Sequence, residues 1–332
     1  MKHSHPSCAR QNKTKYLFLA AALFFVIAAA AGVCLGSTRL SITEILSETG
    51  VTILKYVRIP RVLACLVSGA ALAISGCVIQ GVLANHLASP SIIGVNAGAG
   101  LAATISAALG LYGGLLSSAF SFVGAFLSVL VITLGARKWG RSKGTVILAG
   151  VALSSLLNAI SSAIITLVPD AGVMSNDFRV GDLSSITYET LIPAAIIITV
   201  AAVITMLLSS ELDVIGLGEE TARGLGMNTS RTRMIFLILA AALAGCAVSL
   251  AGLLSFVGLI VPNAIRRVAG NRGKLILPLS ALFGGGFVCL CDTAARTLFA
   301  PYEIPVGIIM AFIGAPFFIF LLVKGGSTYD RA

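Results

Sequence analysis

Charged residues are scarce in this chain of 332 residues: Asp, Glu, Lys and Arg make up 11% of it, 57% is hydrophobic and the mean hydropathy is +1.00. Soluble domains carry roughly 25% charged residues because their surfaces face water. A chain with so few charges cannot cover a soluble globule, so most of its surface must face lipid. The long unbroken apolar runs also exclude a β-barrel, whose strands alternate over about ten residues.

Groups that could carry catalysis or bind a metal are also few. The chain has three histidines, two of which (His3 and His5) lie in a basic N-terminal tail. Six of the seven cysteines lie inside apolar stretches, where cysteine behaves as a small hydrophobe, and there is no Cys-x-x-Cys pair. The one Gly-Lys pair, Gly273-Lys274, is followed by Leu275, so no hydroxyl is placed as in a phosphate loop. We therefore predict no metal, no cofactor and no ATP hydrolysis by this chain itself.

Ionisable residues at membrane depth, which an ion-coupled carrier normally needs, are missing from the middle of the apolar stretches. Asp292 lies near the end of one stretch, and Arg296 follows four positions later on the same helix face, which predicts a local ion pair. An embedded enzyme would show a cluster of His, Asp or Glu at one membrane face, and none is visible. An ion-coupled secondary transporter stays as the alternative function, while the composition favours a transport pathway that takes its energy from a partner.

Nine apolar stretches are long enough to cross a bilayer at roughly 20 residues per span. They are 16–35, 62–84, 92–110, 115–135, 145–168, 191–209, 234–252, 275–291 and 304–323. A tenth, 253–265, is short. The 35 glycines suit close packing of helices in lipid. We predict an all-α polytopic membrane protein of about ten transmembrane helices in one domain, 16–323, with tails at 1–15 and 324–332. The first stretch is too long for the apolar core of a signal peptide, so we predict that it is retained as a span.

The distribution of basic residues predicts the orientation. If 253–265 crosses the bilayer, seventeen of the 23 Lys and Arg residues lie on the side of the N-terminus and six on the other. If it does not cross, four of them change sides. The positive-inside rule therefore favours ten crossings of a plasma membrane, with both termini cytoplasmic. The net charge of +10 reflects this orientation rather than nucleic-acid binding.

Two parts of the chain resemble one another. A helix rich in small residues ends at Gly76 and leads to Pro90, and another ends at Gly252 and leads to Pro262. In the predicted topology these helices run in opposite directions, which is typical of the inverted repeats of transporters. The sequence thus predicts a possible inverted repeat.

Short motifs follow one another in a characteristic order. In the first half they are Arg58-Ile59-Pro60-Arg61, Gly69-Ala70-Ala71-Leu72-Ala73-x-x-Gly76, Gln80, Asn85-His86-Leu87-Ala88-Ser89-Pro90, Gly94 and Leu148-Ala149-Gly150-Val151-Ala152-Leu153. In the second half they are Ser255-Phe256-Val257-Gly258-Leu259-Ile260-Val261-Pro262, Asp292-x-x-x-Arg296, Ile304-Pro305-Val306-Gly307 and Gly314-Ala315-Pro316-Phe317. Together they resemble the iron-chelate/cobalamin (FecCD-type) permease family of bacterial ATP-binding-cassette importers. His86 stands where that family usually has proline, and Asn263 where it commonly has histidine.

The resemblance implies a permease subunit of a binding-protein-dependent, ATP-driven importer. Its partners would be a second permease copy or a paralogue, two ATP-binding-cassette ATPase subunits, an extracytoplasmic substrate-binding protein and the lipid bilayer. The implied cargo is a ferric siderophore, ahead of haem and cobalamin.

The resemblance also assigns roles to residues. The cytoplasmic loop 210–233 matches the coupling helices that contact the ATPase, through Leu217, Gly218, Glu219, Ala222, Arg223, Leu225 and Gly226. The residues support this independently, since three apolar side chains would form one face of a short helix rimmed by charge. Arg58, Arg61 and Arg296 lie on the side otherwise poor in basic residues and match arginines that meet acidic groups of the binding protein. Ser142, Lys143 and Gly144 match an inner gate.

Overall fold

The computed structural model describes residues 6–37, 47–111, 113–139 and 143–329, with side chains in 14–37, 47–111, 113–135 and 144–320. Over these residues all the regular secondary structure is helical, and there is no strand. The α-helices are α1 (Pro6–Cys34), α2 (Glu48–Ile53), α3 (Ile59–Leu83), α4 (Val95–Ala108), α5 (Gly114–Trp139), α6 (Lys143–Leu167), α7 (Pro169–Met174), α8 (Asn176–Val180), α9 (Tyr188–Leu207), α10 (Ser209–Gly216), α11 (Glu219–Gly224), α12 (Thr229–Ala251), α13 (Val257–Ala269), α14 (Gly273–Thr297) and α15 (Val306–Tyr329). A π-helical turn, Leu54–Arg58, joins α2 to α3, and a 3₁₀ turn, Pro90–Ile93, precedes α4.

Seven helical segments among the described residues are long and apolar enough to cross a membrane. They are Thr14–Cys34, Glu48–Leu83, Gly114–Gly135, Gly144–Leu167, Tyr188–Leu207, Thr229–Ala251 and Gly273–Thr297. The two remaining predicted spans correspond to shorter apolar helices, Val95–Ala108 and Val306–Phe320. The prediction of an all-helical, multi-pass membrane protein is confirmed, whereas ten crossings and the inverted repeat stay predictions.

Helices extend into both predicted tails, because α1 begins at Pro6 and α15 ends at Tyr329. The sequence placed the beginning of the first span ten residues later, at the first long apolar run. The preceding segment is polar, but its Arg, Gln and Lys residues are good helix formers, so hydropathy located the apolar part of the helix and not its beginning.

Helix α3 lies at the centre of the bundle, with most of its residues buried against α12, α13 and α14. Two close contacts depend on pairs of glycines. A Cβ atom on Gly76 would lie 1.9 Å from the carbonyl oxygen of Gly258, and one on Gly69 would lie 2.3 Å from that of Gly284. Any larger side chain would push these backbones apart, which explains the small-residue pattern of α3 in physical terms.

The short helix α13 begins after a break in the chain. The stretch 253–265 was predicted as one apolar piece, but residues 253–256 are not helical and α13 runs from Val257 to Ala269. Gly252 has φ +68 and Phe256 has φ +67, a left-handed conformation that is uncommon for a bulky residue. The Phe256 ring packs so closely on α15 that a Cβ atom on Gly314 would lie 2.4 Å from it. Packing therefore holds the break in place.

The long helix α3 separates two ends of the bundle. Arg61 and Gln80 lie roughly 28 Å apart along its axis, at a rise of 1.5 Å per residue. At one end, Arg61 contacts Asp292 of α14. At the other, Gln80 contacts Arg266 of α13. We refer to these as the Arg61 end and the Arg266 end.

Candidate functional site

A cluster of charged side chains occupies the Arg61 end. Arg61 donates from Nη2 to Asp292 Oδ1 at 2.9 Å and from Nη1 to Glu303 Oε2 at 2.7 Å. The side chain of Asp292 is fully buried, that of Arg61 is 5% exposed and that of Glu303 is 33% exposed. Burial alone would raise the pKa of the Glu303 carboxyl, but hydrogen bonds from Ser37 and Arg61 and the charges of Arg61 and Arg296 lower it. Glu303 is therefore ionised at neutral pH and covers Arg61 from the outside of the bundle.

The other two arginines of this end hold the first helix. Arg58 donates from Nη1 to the carbonyl oxygens of Val33 and Cys34, at 3.0 and 3.1 Å. Arg296 lies with Nε 2.9 Å from Asp292 Oδ2 and donates from Nη2 to the carbonyl oxygen of Gly32 at 3.1 Å. These bonds satisfy carbonyl groups in the last turn of α1, which have no partner within the helix.

The three predicted docking arginines thus come together at one end, and all of them are buried. The predicted ion pair between Asp292 and Arg296 is confirmed. The contact between Arg61 and Asp292, which are separated by 231 positions, was not predicted. The predicted topology placed these two oppositely charged residues at the same membrane face, and this was the information in the sequence from which the contact could have been predicted. Contact with a binding protein stays a prediction.

The predicted coupling segment forms a short exposed helix on the other side of the bundle. Helix α11 lies between Gly218, with φ +113, and Gly226, with φ +82, conformations that glycine adopts without strain. Leu217 and Leu225 flank the helix with 67% and 66% of their surface exposed. Ala222 is fully buried, so the predicted apolar face is split between one inward residue and two outward ones. An exposed leucine beyond each end of a short helix that carries charged residues suits a contact with another protein.

Glu219, the first residue of α11, binds two arginines. Its Oε1 accepts from Arg223 Nη2 at 2.6 Å, one turn along the same helix, and its Oε2 accepts from Arg233 Nη2 of α12 at 2.9 Å. Burial alone would raise the pKa of the Glu219 carboxyl, but Arg233 and then Arg223 lower it. The carboxylate is therefore charged at neutral pH and joins α11 to a membrane helix.

The predicted inner gate lies partly outside the described residues. Ser142 falls outside them, Lys143 begins α6, and Gly144 is exposed in the first turn of that helix. The gate stays a prediction.

A polar cluster at the Arg266 end was missed by sequence reasoning. The Nη1 atom of Arg266 contacts Gln80 Oε1 and lies 3.0 Å from His86 Nδ1, and Asn263 Nδ2 donates to the carbonyl oxygen of His86 at 2.9 Å. Burial, and then the charge of Arg266, lower the pKa of the His86 imidazole. Arg266 and Arg272 also line a cavity of about 500 Å³ beside α10. His86 and Asn263 are the two residues that differ from the usual residues of the family motif, and they contact each other here.

Helix α6 is exposed along most of its length, because only 11% of the residues in its most apolar stretch are buried. It nevertheless carries four exposed polar residues at helical spacing, namely Ser155, Asn158, Ser162 and Thr166. Their spacing of three and four positions places them within about 80° of one face. Ser155 and Thr166 each donate to a backbone carbonyl one turn earlier in the helix. A row of hydroxyl and amide groups nevertheless suits water or another protein better than lipid.

Three comparisons with known proteins agree with one another. The fold is that of a multi-pass helical membrane protein. Residues 22–324 match the model of the FecCD transport family, and the chain belongs to this family. The Fe(3+)-citrate import system permease of Bacillus subtilis is 32% identical over 328 residues, covering 97% of this chain and 98% of its own. The cobalamin import system permease of Halobacterium salinarum is 37% identical, covering 83% and 74%. A structure described as an inward-facing conformation of a metal-chelate type ABC transporter has a TM-score of 0.84 at 30% identity, covering 93% of this chain and 99% of its own.

No cluster of three His, Cys, Asp or Glu side chains that could hold a metal ion occurs among the described residues. The side chains described at the two ends can make ionic and apolar contacts.

Proposed function

We propose that this chain is the membrane-spanning permease subunit of a binding-protein-dependent importer driven by ATP hydrolysis in a partner. The observation that carries the proposal is an exposed short helix with two outward leucines, placed between two membrane helices of a FecCD-family chain. A membrane protein has no structural need for such a surface facing water, whereas an ATPase groove would bury it.

The ATPase contact would be made by Leu217, Leu225 and Arg223, which lies between the two leucines in the chain. The two leucines supply apolar area, and Arg223, which is 54% exposed, supplies a charge at the rim. Closure of two ATPase subunits on ATP would move α11, and the connected membrane helices would then switch between two openings of the pathway.

A second permease copy, or a paralogue, would cover the polar stripe of α6. Two such stripes facing each other would line a path with hydroxyl and amide groups. Its small, uncharged side chains would let a bulky, chelated cargo pass without holding it. We propose a ferric siderophore as the cargo, ahead of haem and cobalamin; the two relatives named above are described as permeases for ferric citrate and cobalamin.

The extracytoplasmic binding protein would dock at the Arg61 end. Three arginines and two carboxylates leave this end with a positive balance, which suits an acidic partner. Reversal of Arg58, Arg61 or Arg296 to Glu should weaken association, most strongly at low salt, because charges are screened beyond about 10 Å at 0.1 M. If all three reversals leave association and its salt dependence unchanged, the docking surface lies elsewhere.

Ten crossings with both termini cytoplasmic fit this arrangement. Leu253 N–H donates to the carbonyl of Phe178, whereas Arg266 reaches Gln80 at the opposite end of α3, which supports the reading that α13 runs back across the bundle. The Arg266 end, with α11, would then be cytoplasmic.

Reconstitution in vesicles tests the proposal. The chain should hydrolyse no ATP when purified alone, and uptake of ferric siderophore should require ATP, an ATPase subunit and a binding protein encoded beside it. Uptake driven by an ion gradient without ATP would instead favour a secondary transporter, and ATPase activity that follows this chain through purification would contradict the proposal.

A further inference from the structure

We infer that the ion pair between Glu219 and Arg233 is the link that transmits movement of α11 to the membrane helix α12, which makes Arg233 a positioning residue for transport. This inference rests on the proposed function, because it concerns how the contact with the ATPase acts on the pathway.

The backbone around α11 constrains that helix weakly. Gly216, Gly218, Gly224 and Gly226 have no neighbouring atom within 4 Å of the position that a Cβ atom would take. Two of them adopt a positive φ and so form the joints at either side of the helix. A helix of six residues between two glycine joints would move freely unless side chains tie it to its surroundings.

Glu219 supplies the tie that reaches another element. Its bond to Arg223 stays within α11, and Arg223 is more than half exposed. Arg223 Nε donates to Thr229 Oγ1 of α12, but at 3.4 Å this bond is too long to contribute much. Its bond to Arg233 crosses from α11 to the second turn of α12. Thr229, at the beginning of α12, donates to Glu219 at 3.4 Å, which is too long to contribute much.

The burial of Arg233 makes the pair stiff. The residue is 8% exposed, and a buried guanidinium needs its counter-ion, because an uncompensated charge in a low-dielectric setting is costly. Movement of Glu219 therefore acts directly on the Arg233 side chain through this ion pair. By contrast, the neighbouring Glu220 is exposed.

Helix α12 can pass the movement on. It packs along α3, where Ser75 Oγ donates to the carbonyl oxygen of Ala240 at 2.8 Å. It ends at Ala251, beside the break that contacts Phe178 near the Arg61 end. A displacement at Arg233 thus acts on a rigid element that reaches from the Arg266 end towards the Arg61 end.

The complete importer, with its ATPase and binding protein in vesicles, provides the test. The measured quantity is the amount of ferric siderophore transported per ATP hydrolysed. Glu219→Gln and Arg233→Gln should each lower this ratio, because each variant removes one charge of the pair that connects α11 to α12. Glu220→Gln removes the same charge one residue away and should leave the ratio unchanged. The exchanged pair, Glu219→Arg with Arg233→Glu, should recover a large part of the loss.

Two outcomes overturn the inference. One is an equal ratio in Glu219→Gln and Glu220→Gln; the other is failure of the exchanged pair to transport better than either of its single variants. A Leu217→Asp variant separates this from the proposed function, since it should abolish copurification of the ATPase. If copurification is lost in Leu217→Asp while Glu219→Gln behaves as Glu220→Gln does, only the inference fails. If Leu217→Asp leaves copurification intact, the proposed ATPase contact fails.

Discussion

Replacing Asp292 by Asn should destabilise the protein strongly, because this carboxylate is the buried counter-ion of two arginines. The carboxylate is fully buried between Arg61 and Arg296, which are 4% and 3% exposed. Asn preserves the shape of the side chain but removes the negative charge. Two buried guanidinium groups would then face each other with a neutral amide between them.

The magnitude follows from the geometry. Breaking a buried ion pair by removing one partner costs about 3–5 kcal/mol, because the remaining charge is left uncompensated. At about 1.4 kcal/mol per factor of ten, the ratio of folded to unfolded protein would fall by roughly a hundredfold to several thousandfold. Glu303→Gln is the matched control: its side chain is one-third exposed, so the loss should be about 0–1 kcal/mol.

Unfolding in mixed micelles of increasing SDS content measures the difference. The midpoint for Asp292→Asn should lie well below those of the wild type and of Glu303→Gln. A third variant tests the cause: Asp292→Leu combined with Arg61→Met and Arg296→Met should lose much less than Asp292→Asn, since an apolar replacement of the whole cluster leaves no buried charge. Equal midpoints for Asp292→Asn and Glu303→Gln would refute the reasoning.

Three further predictions concern the Arg266 end and α11. Gly226→Pro should leave membrane insertion intact yet uncouple transport from ATP hydrolysis, because proline cannot adopt φ +82. Gly224→Ala is the control, since the added methyl group enters open space, and normal transport in the proline variant would count against the assignment. Asn271→Cys, in a chain without its native cysteines, should be labelled from the cytoplasmic side only, and labelling from outside would mean that 253–265 does not cross. The contact of His86 with Arg266 needs a neutral imidazole, so its stabilisation should be present at neutral pH and be lost as the pH falls below about 6.5. Lowering the pH from about 7.5 to 5.5 should therefore reduce the unfolding midpoint more in the wild type than in His86→Asn. Equal shifts of the midpoint in the two proteins would exclude this role.

Local features were predictable because they depend on spacing along the chain. Seven predicted spans coincide with long apolar helices, since hydropathy averaged over about 20 residues identifies lipid-facing segments. The pair of Asp292 and Arg296 was predictable because residues four positions apart share a helix face. The short helix α11 was predictable because Leu217, Ala222 and Leu225 are spaced among charged residues there.

The break before α13 was not predictable from hydropathy. Residues 253–256 are as apolar as their neighbours, and the chain leaves the helix there because Gly252 and Phe256 take positive φ values. Gly252 packs against Phe178 and Gly181, and Phe256 packs against Gly314 of α15. An average over a window cannot detect a change of backbone direction within an apolar segment.

By itself, the sequence determined that this is a helical membrane protein, which segments are apolar, how its basic residues are distributed and where a short amphipathic helix leaves the membrane. Only the tertiary structure decided which charges meet: Arg61 with Asp292 across 231 positions, Arg266 with Gln80 across 186, and Glu219 with Arg233 across a glycine joint. The physical reason is that hydropathy and spacing are properties of one continuous segment of the sequence. The pairing of distant charges depends on which helix faces come together, and here pairs of glycines set that by letting α3 approach α13 and α14 closely.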